Sequence, residues 1–361
     1  MSSASAEPRC PRDAHGRLVV SSHDEVVRVA HDPEGFSNAV SRHLQIPNGL
    51  DGDAHARATR RLAVFFHPSA LAKLEPMLEP IAKALVGSLG AGSFDAVADL
   101  GVVYAVRAQS AWLGWRPEIE DDLVEWVGEH RAAARSADPD AAVSVAERFD
   151  EIVRALIAER RGRGLCDLTA LLMSLRWDDG RRISDDEVVS VLRNWTGGDL
   201  SSLALCAAAV VHWVATNPAH RSHLAAASDD DLDAAIDEML RLDDPFVSNR
   251  RLVTADAVVS GCPVRAGETI VLDWRTANRD PAAFASPDVF DPVSHAARNL
   301  VYGTGLHACP GRGLATRELR ILLRTVLAAG DVELAPSEPA VREEPPLAGF
   351  RRLPVRVVPR G

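Results

Sequence analysis

The sequence predicts a mainly α-helical protein with minor β-structure, folded as one domain. Three observations carry that expectation. A long apolar helix opens at Ser184-Asp185-Asp186-Glu187, where serine and glutamate side chains reciprocally satisfy free backbone donors. A second capped helix starts at Ser228 and runs to Leu242, stopped by Pro245. The apolar runs that do not fit helical spacing are short and bounded by glycine or proline, as small strands are. Length alone, 361 residues, would admit two or three domains, but no repeat and no linker-like composition divides the chain.

Residues 1–16 are polar, carry Pro8 and Pro11, and read as a flexible lead-in to a single domain over residues 17–361. Leu18, Val19 and Val20 predict a strand, and Val26, Val27 and Ala30 give residues 24–32 helical spacing. Residues 53–180 are mostly helical, with breaks at Pro68, residues 87–92, 114–117, 138–139 and 161–164. From Ser184 the apolar pattern continues to Val214, so roughly 30 residues at about 1.5 Å each predict one rod of about 45–50 Å. Within it, Gly197 and Gly198 cost about 1 kcal/mol each relative to alanine, which marks close packing or room for a group against the backbone. Strands are expected within residues 251–259, 262–264 and 269–272, an irregular stretch over 278–309, and a last helix over 313–329.

Composition narrows the function. With 40 basic and 51 acidic residues the net charge is −11, which disfavours broad nucleic-acid binding. The longest apolar run, residues 203–211, ends at His212, short of the 18–20 residues or so of a membrane span. The first residues show no basic-then-apolar signal pattern, so a cytoplasmic protein, and a monomer, is expected. Cys10, Cys166, Cys206, Cys262 and Cys309 are scattered without a CxxC, which indicates neither a disulfide framework nor a zinc ribbon.

The most informative segment is Tyr302-Gly303-Thr304-Gly305-Leu306-His307-Ala308-Cys309-Pro310-Gly311. Its glycines permit a tight path, and Cys309 stands just before a helix whose free N–H groups would stabilise a thiolate. Alone, the segment reads equally well as a free thiol in a glycine turn. Together with Glu238-Met-Leu-Arg241, Thr196-Gly197-Gly198-Asp199 and Ala277-Asn278-Arg279-Asp280-Pro281, it resembles the cytochrome P450 family of haem-thiolate enzymes, in family order and spacing over residues 17–360.

That resemblance implies a helical prism with haem b between the long central helix and the helix after the cysteine loop. It makes Cys309 the axial iron ligand. His307, Arg251 and His55 fall where the family holds the haem propionates, and Gly197, Gly198, Gly303 and Tyr302 fall at cofactor-contacting positions. Glu238 and Arg241, three apart on one helix face, are implied to brace the cysteine loop. The third, basic partner of that brace is replaced by Ser294, with His295 beside it. On the central helix, Asp199 matches the family acid for proton delivery, but Leu200 stands where threonine is usual. Ser201, one residue later, points about 100° away on a regular helix and is no simple replacement. Thr59 replaces an arginine of the early helix, with Arg57, Arg60 and Arg61 nearby. Tyr302 takes the place of a phenylalanine, its hydroxyl either modulating the thiolate or facing outward. The family's first helix and strand are missing, which implies a thinner sheet and a more open entrance.

Trp195, four residues before Asp199, is expected on the same helix face, where it either narrows the pocket or packs in the core. Leu200, Phe246, Val247, Ser248 and Asn249 complete the expected substrate pocket. With the polar loop over residues 40–50, they suit a small organic, aromatic or peptide-like substrate. A ferredoxin or flavodoxin is the implied electron donor. Its expected dock is an arginine-rich face of Arg60, Arg61, Arg312 and Arg320, with Arg317 and Arg324 alongside. The activity implied is monooxygenation with O2 and two electrons. The alternatives are peroxide use, oxidative C–C or C–O coupling, or a non-catalytic haem-binding protein.

Overall fold

The computed structural model describes residues 10–41, 43–90, 92–136, 138–197, 199–336, 338–344 and 347–360, the side chain of Asp199 excepted. The chain begins with β1 (Val19–Val20), α1 (His23–Ala30) and β2 (Phe36–Ser37). Helices α2 (Gly52–Leu62), α3 (Pro68–Leu71) and α4 (Glu75–Ser88) lead to β3 (Phe94–Asp95). A π-helical segment (Ala96–Val102) then runs into α5 (Val103–Leu113), followed by α6 (Glu120–Ser136), α7 (Pro139–Arg163) and α8 (Leu168–Met173). The central helix consists of α9 (Asp185–Leu192), a π turn (Arg193–Gly197) and α10 (Asp199–Thr216). After α11 (Arg221–Ala226) and α12 (Asp229–Leu242) come β4 (Ser248–Val253), β5 (Ala257–Val259), β6 (Cys262–Val264), β7 (Thr269–Asp273) and α13 (Trp274–Ala277). The chain closes with α14 (Arg312–Ala329), β8 (Asp331–Leu334), β9 (Val341–Arg342), β10 (Phe350–Arg352) and β11 (Pro354–Val358).

The architecture is mainly α with small sheets. The largest sheet has the order β1-β7-β4-β2, with β1 parallel to β7 and the other pairs antiparallel. It covers its own small core of Leu18, Val26, Phe36, Ile270 and Trp274. The main core lies among the helices around α10, packed on the π segment before α5 at Gly101. A Cβ at Gly101 would stand 2.6 Å from the Ala204 carbonyl oxygen, so only glycine allows this approach.

Two expectations change here. The single regular rod from Ser184 is interrupted by the π turn Arg193–Gly197. The Asn194 amide there donates to the Ile46 and Ser190 carbonyls, tying the turn to the loop before α2. Trp195 lies within that turn, and its expected facing relation to Asp199 lies outside the described residues. The run over Asp185–Thr216 is long and apolar enough to cross a membrane by length and composition, yet 69% of its window is buried inside the fold, as in a core helix.

The second change concerns cysteine. Cys10 and Cys262 form a disulfide across 252 residues, a pairing no local spacing could announce. With the Arg12–Leu18 bridge and the Asp13–Arg17 ion pair, it fastens residues 10–16 to the β5–β6 hairpin, so this part of the lead-in is anchored rather than loose.

Candidate active site

A cavity of about 620 Å³ opens between α10 and the cysteine loop. Its floor is Tyr302, Gly303, His307 and Cys309; Trp195, Ser201, Ser202 and Cys206 face it from the central helix. Phe246, Val247, Ser248 and Asn249 form a side wall, as expected. Leu200 does not. It is wholly buried away from the cavity, and Ser201 takes the lining position instead. The π turn before α10 shifts which residues of that helix meet the cavity relative to a helix regular from Ser184.

The Cys309 loop is built from both ends. Gly303 (φ 68°) and Gly305 (φ 75°) adopt left-handed conformations, and a Cβ at Gly305 would lie 2.3 Å from the Ala30 carbonyl oxygen. The Cys309 N–H donates to the Tyr302 carbonyl at 2.8 Å, and Gly311 caps α14 two residues on. The thiol is exposed toward the cavity. Tyr302 turns its hydroxyl to Thr316 on α14 (3.1 Å). Burial holds that phenol protonated.

Behind the loop, Ser228 caps α12 and aspartates fill its first turn, favouring its helix dipole. Near its other end, Glu238 receives Arg241 through two bonds (2.7 and 2.8 Å) and the Asp291 N–H (3.0 Å). His295 Nδ1 donates to Glu238 at 2.7 Å, since the carboxylate only accepts. Arg241 donates further to the Asn278 and Pro287 carbonyls and lies over the Phe284 ring. His295 therefore supplies the third, basic member, and exposed Ser294 does not. Asn278 bonds both buried Asp244 (2.9 Å) and the Leu300 N–H (2.8 Å), linking the end of α12 to the loop. Burial pushes the Asp244 carboxyl up to about 7.

At another part of the cavity rim, His307 Nε2 donates to Asp51 (3.0 Å), and the His55 ring meets His307 edge-on at 4.5 Å. Asp51 also accepts from Ser37 and the Asn38 N–H; these bonds outweigh burial and lower its carboxyl. Burial lowers both histidines; the neighbouring His307 lowers His55 further, and the Arg251 charge lowers His307 against the opposing pull of Asp51. Among the described residues His307 Nδ1 is buried without a partner. Arg251 is 4% exposed and, among the described residues, has no carboxylate at ion-pair distance; burial brings its guanidinium down to about 10. An orphan nitrogen and a buried cation beside an exposed thiol fit a haem, whose propionates His307 and Arg251 would hold and whose iron Cys309 would ligate. Gly197 belongs to the π turn; Gly198 and the Asp199 side chain lie outside the described residues.

Trp195 is both wall and core: its ring meets Phe65, Phe66 and Trp112 at 5.2–5.3 Å. The arginines expected to form a donor dock are largely ion-paired. Arg320 is buried, bound by Asp233 and Glu75 (3.0 Å); Arg317 binds Glu75, Arg324 binds Asp229 (2.7 Å), and Arg312 binds Asp237 (2.6 Å). Arg60 and Arg61 share Asp178. Acidic α12 lies against α14 and neutralises it. Sequence reasoning also missed Asp51, His130, Arg131 and Glu343. Only Asp51 carried a local signal, four residues before His55 at a helix start; Arg131 meets Glu343 across 212 residues.

Such a site is that of a haem-thiolate protein. A model of the Cytochrome P450 family matches residues 232–357. The chain is 28% identical to a steroid C26-monooxygenase of Mycobacterium tuberculosis (strain CDC 1551 / Oshkosh), covering 96% of both chains. It is 29% identical to an erythromycin C-12 hydroxylase of Saccharopolyspora erythraea, over 95% of this chain and 90% of that one. Among solved structures, a mutant of P450 EryK in complex with erythromycin B superposes with TM-score 0.83 at 26% identity, over 96% and 92% of the two chains. Over nearly its whole length the chain thus resembles cytochrome P450 proteins, which supports an oxidoreductase of the monooxygenase type with haem b bound through a cysteine thiolate.

Proposed function

We propose that this P450 hydroxylates a small organic secondary metabolite in the cavity over Cys309, taking two electrons from a ferredoxin- or flavodoxin-type protein. The observation that carries the reading is the exposed Cys309 thiol in a cavity rimmed by Arg251, His307 and His55. Cys309 would ligate iron, and those three side chains would hold the propionates. When bound, haem supplies O2 activation. The chain's own part is to shape the cavity, exclude water and deliver protons. Ser201 presents a hydroxyl from α10, 3.2 Å from His130 Nδ1, and is the described group placed to hold a proton. Asp199 remains the acid assigned by resemblance. The relatives named for steroid and erythromycin oxidation support hydroxylation of a polycyclic or macrocyclic molecule as the reaction type.

Reduced carbon monoxide difference spectroscopy tests the ligand: wild type gives the family's thiolate band and Cys309→Ser does not. Substrate-dependent O2 consumption with a surrogate ferredoxin then tests the reaction. Turnover with peroxide alone would assign the enzyme to peroxide use instead.

A further inference from the structure

We infer that the cavity end against α6 is a recognition site for a carboxylate on the substrate, with Arg131 as its charged anchor. The inference rests on the proposed use of this cavity for substrate, and it names the substrate class: a small carboxylic acid with an apolar or aromatic body.

Arg131 lines the cavity. Its Nη2 donates to the Phe350 carbonyl (2.8 Å) and Glu343 (3.3 Å); among the described residues its Nε and Nη1 have no protein acceptor. Glu343 is not Arg131's alone. With its side chain 2% exposed, it also meets Arg135 at 3.0 Å and Arg351 at 3.4 Å. Asp95 acts on Arg131 from farther away while accepting the Val97 and Leu353 N–H groups. Three guanidinium groups thus face two carboxylates; Arg135 and Arg351 are exposed to solvent, so Arg131, its side chain 13% exposed, is the cation of the three that lines the cavity, with Glu343 beside it. A cation in such a place is stabilised by an anion, and a guanidinium with free donors matches the planar fork of a carboxylate.

The neighbouring groups agree. His130, stacked on Trp126 at 5.0 Å, lines the same wall and meets Ser201, which adds neutral polar atoms beside the charge. The rest of the lining includes Phe66, Trp112, Trp195 and Leu205, suited to an apolar body. No residue is shared with the Arg251–His307–Asp51 group, so the two anion-seeking ends serve different acids.

The test uses the haem-loaded enzyme and two probe pairs: decanoate with methyl decanoate, and 4-phenylbutanoate with its methyl ester. Binding is read by isothermal calorimetry and by quenching of tryptophan fluorescence. In wild type each acid should bind at least about tenfold tighter than its ester, as a charged hydrogen-bonded pair implies. Arg131→Gln should abolish that preference and leave ester binding within about twofold; Arg131→Lys should retain part of it. Arg135→Gln removes a Glu343 partner that does not line the cavity, and should leave the preference intact. Equal affinities in wild type, no binding of either acid, or a preference that survives Arg131→Gln would overturn the inference. Failure of the carbon monoxide band with the acid preference retained would sink the haem-thiolate reading alone.

Discussion

Two regions flank the same cavity and are finished differently. Behind Cys309, the Glu238, Arg241 and His295 side chains satisfy one another, and Arg241 spends its remaining donors on carbonyls. Along the cavity, among the described residues, Arg251 has no carboxylate at ion-pair distance, His307 Nδ1 has no partner, and Arg131 keeps free donors beyond its bond to Glu343. The first region is complete as folded and fixes where the sulfur sits. The second is incomplete as folded and is finished by what binds. The same chemical groups therefore report opposite things: a paired buried arginine reports scaffolding, an unpaired one a ligand.

The largest expected effect breaks the complete side. Glu238→Gln strips the anion from buried Arg241 and should cost about 3–5 kcal/mol, the range for orphaning one partner of a buried ion pair. Urea unfolding and haem retention should fall together. A loss under about 1 kcal/mol would mean that the brace is not a closed network.

Asp244 gives the same side a pH signature. Its folded pKa is raised by burial to about 7 from the ordinary carboxylate 3.8, so its contribution is fully present below about 4 and lost as pH rises through 7. The window corresponds to on the order of 4 kcal/mol, about 1.4 per pH unit. Asp244→Asn removes one bond to Asn278 at every pH but should flatten that slope. Stability measured by urea midpoints at pH 5, 6, 7 and 8 checks it; an unchanged slope would place the titrating group elsewhere.

The incomplete side should respond in the opposite sense. Arg251→Gln removes an unpaired buried cation, so the haem-free protein should be unchanged or more stable by about 1 kcal/mol. Its haem affinity should nevertheless drop at least about tenfold, the loss of one charge-assisted bond. Apoprotein destabilised as strongly as by Glu238→Gln would erase the distinction between the two regions.

Legibility in the sequence follows the same division. Cys309, Glu238, Arg241, His307, Arg251 and His55 were readable because each sits in a short motif with fixed spacing. The orientation of Ser201 and Leu200 was not, since one π turn changes the helical rotation. Neither was the Cys10–Cys262 bond or the sharing of Glu343 by three arginines, because those partners meet only in the tertiary fold. His295 stood in view beside Ser294, and packing chose between them.

The smallest expected effect concerns the thiolate-side surface, where the sequence had suggested a free basic dock. Arg312, Arg317, Arg320 and Arg324 each pair with an acid from α12 or with Glu75, so little field remains to steer a partner. Arg57, on exposed α2, makes no ion pair among the described residues. Charge reversal at Arg57 should therefore slow electron transfer from a surrogate ferredoxin by about twofold to threefold, an effect that added salt erases. Arg320→Gln should change the rate through stability or not at all, since that side chain is locked between Asp233 and Glu75. Stopped-flow reduction across ionic strength separates the two. A steep salt dependence that disappears in Arg320→Gln would mean that the α12–α14 pairs open to receive the donor, and that this face belongs with the regions completed by binding.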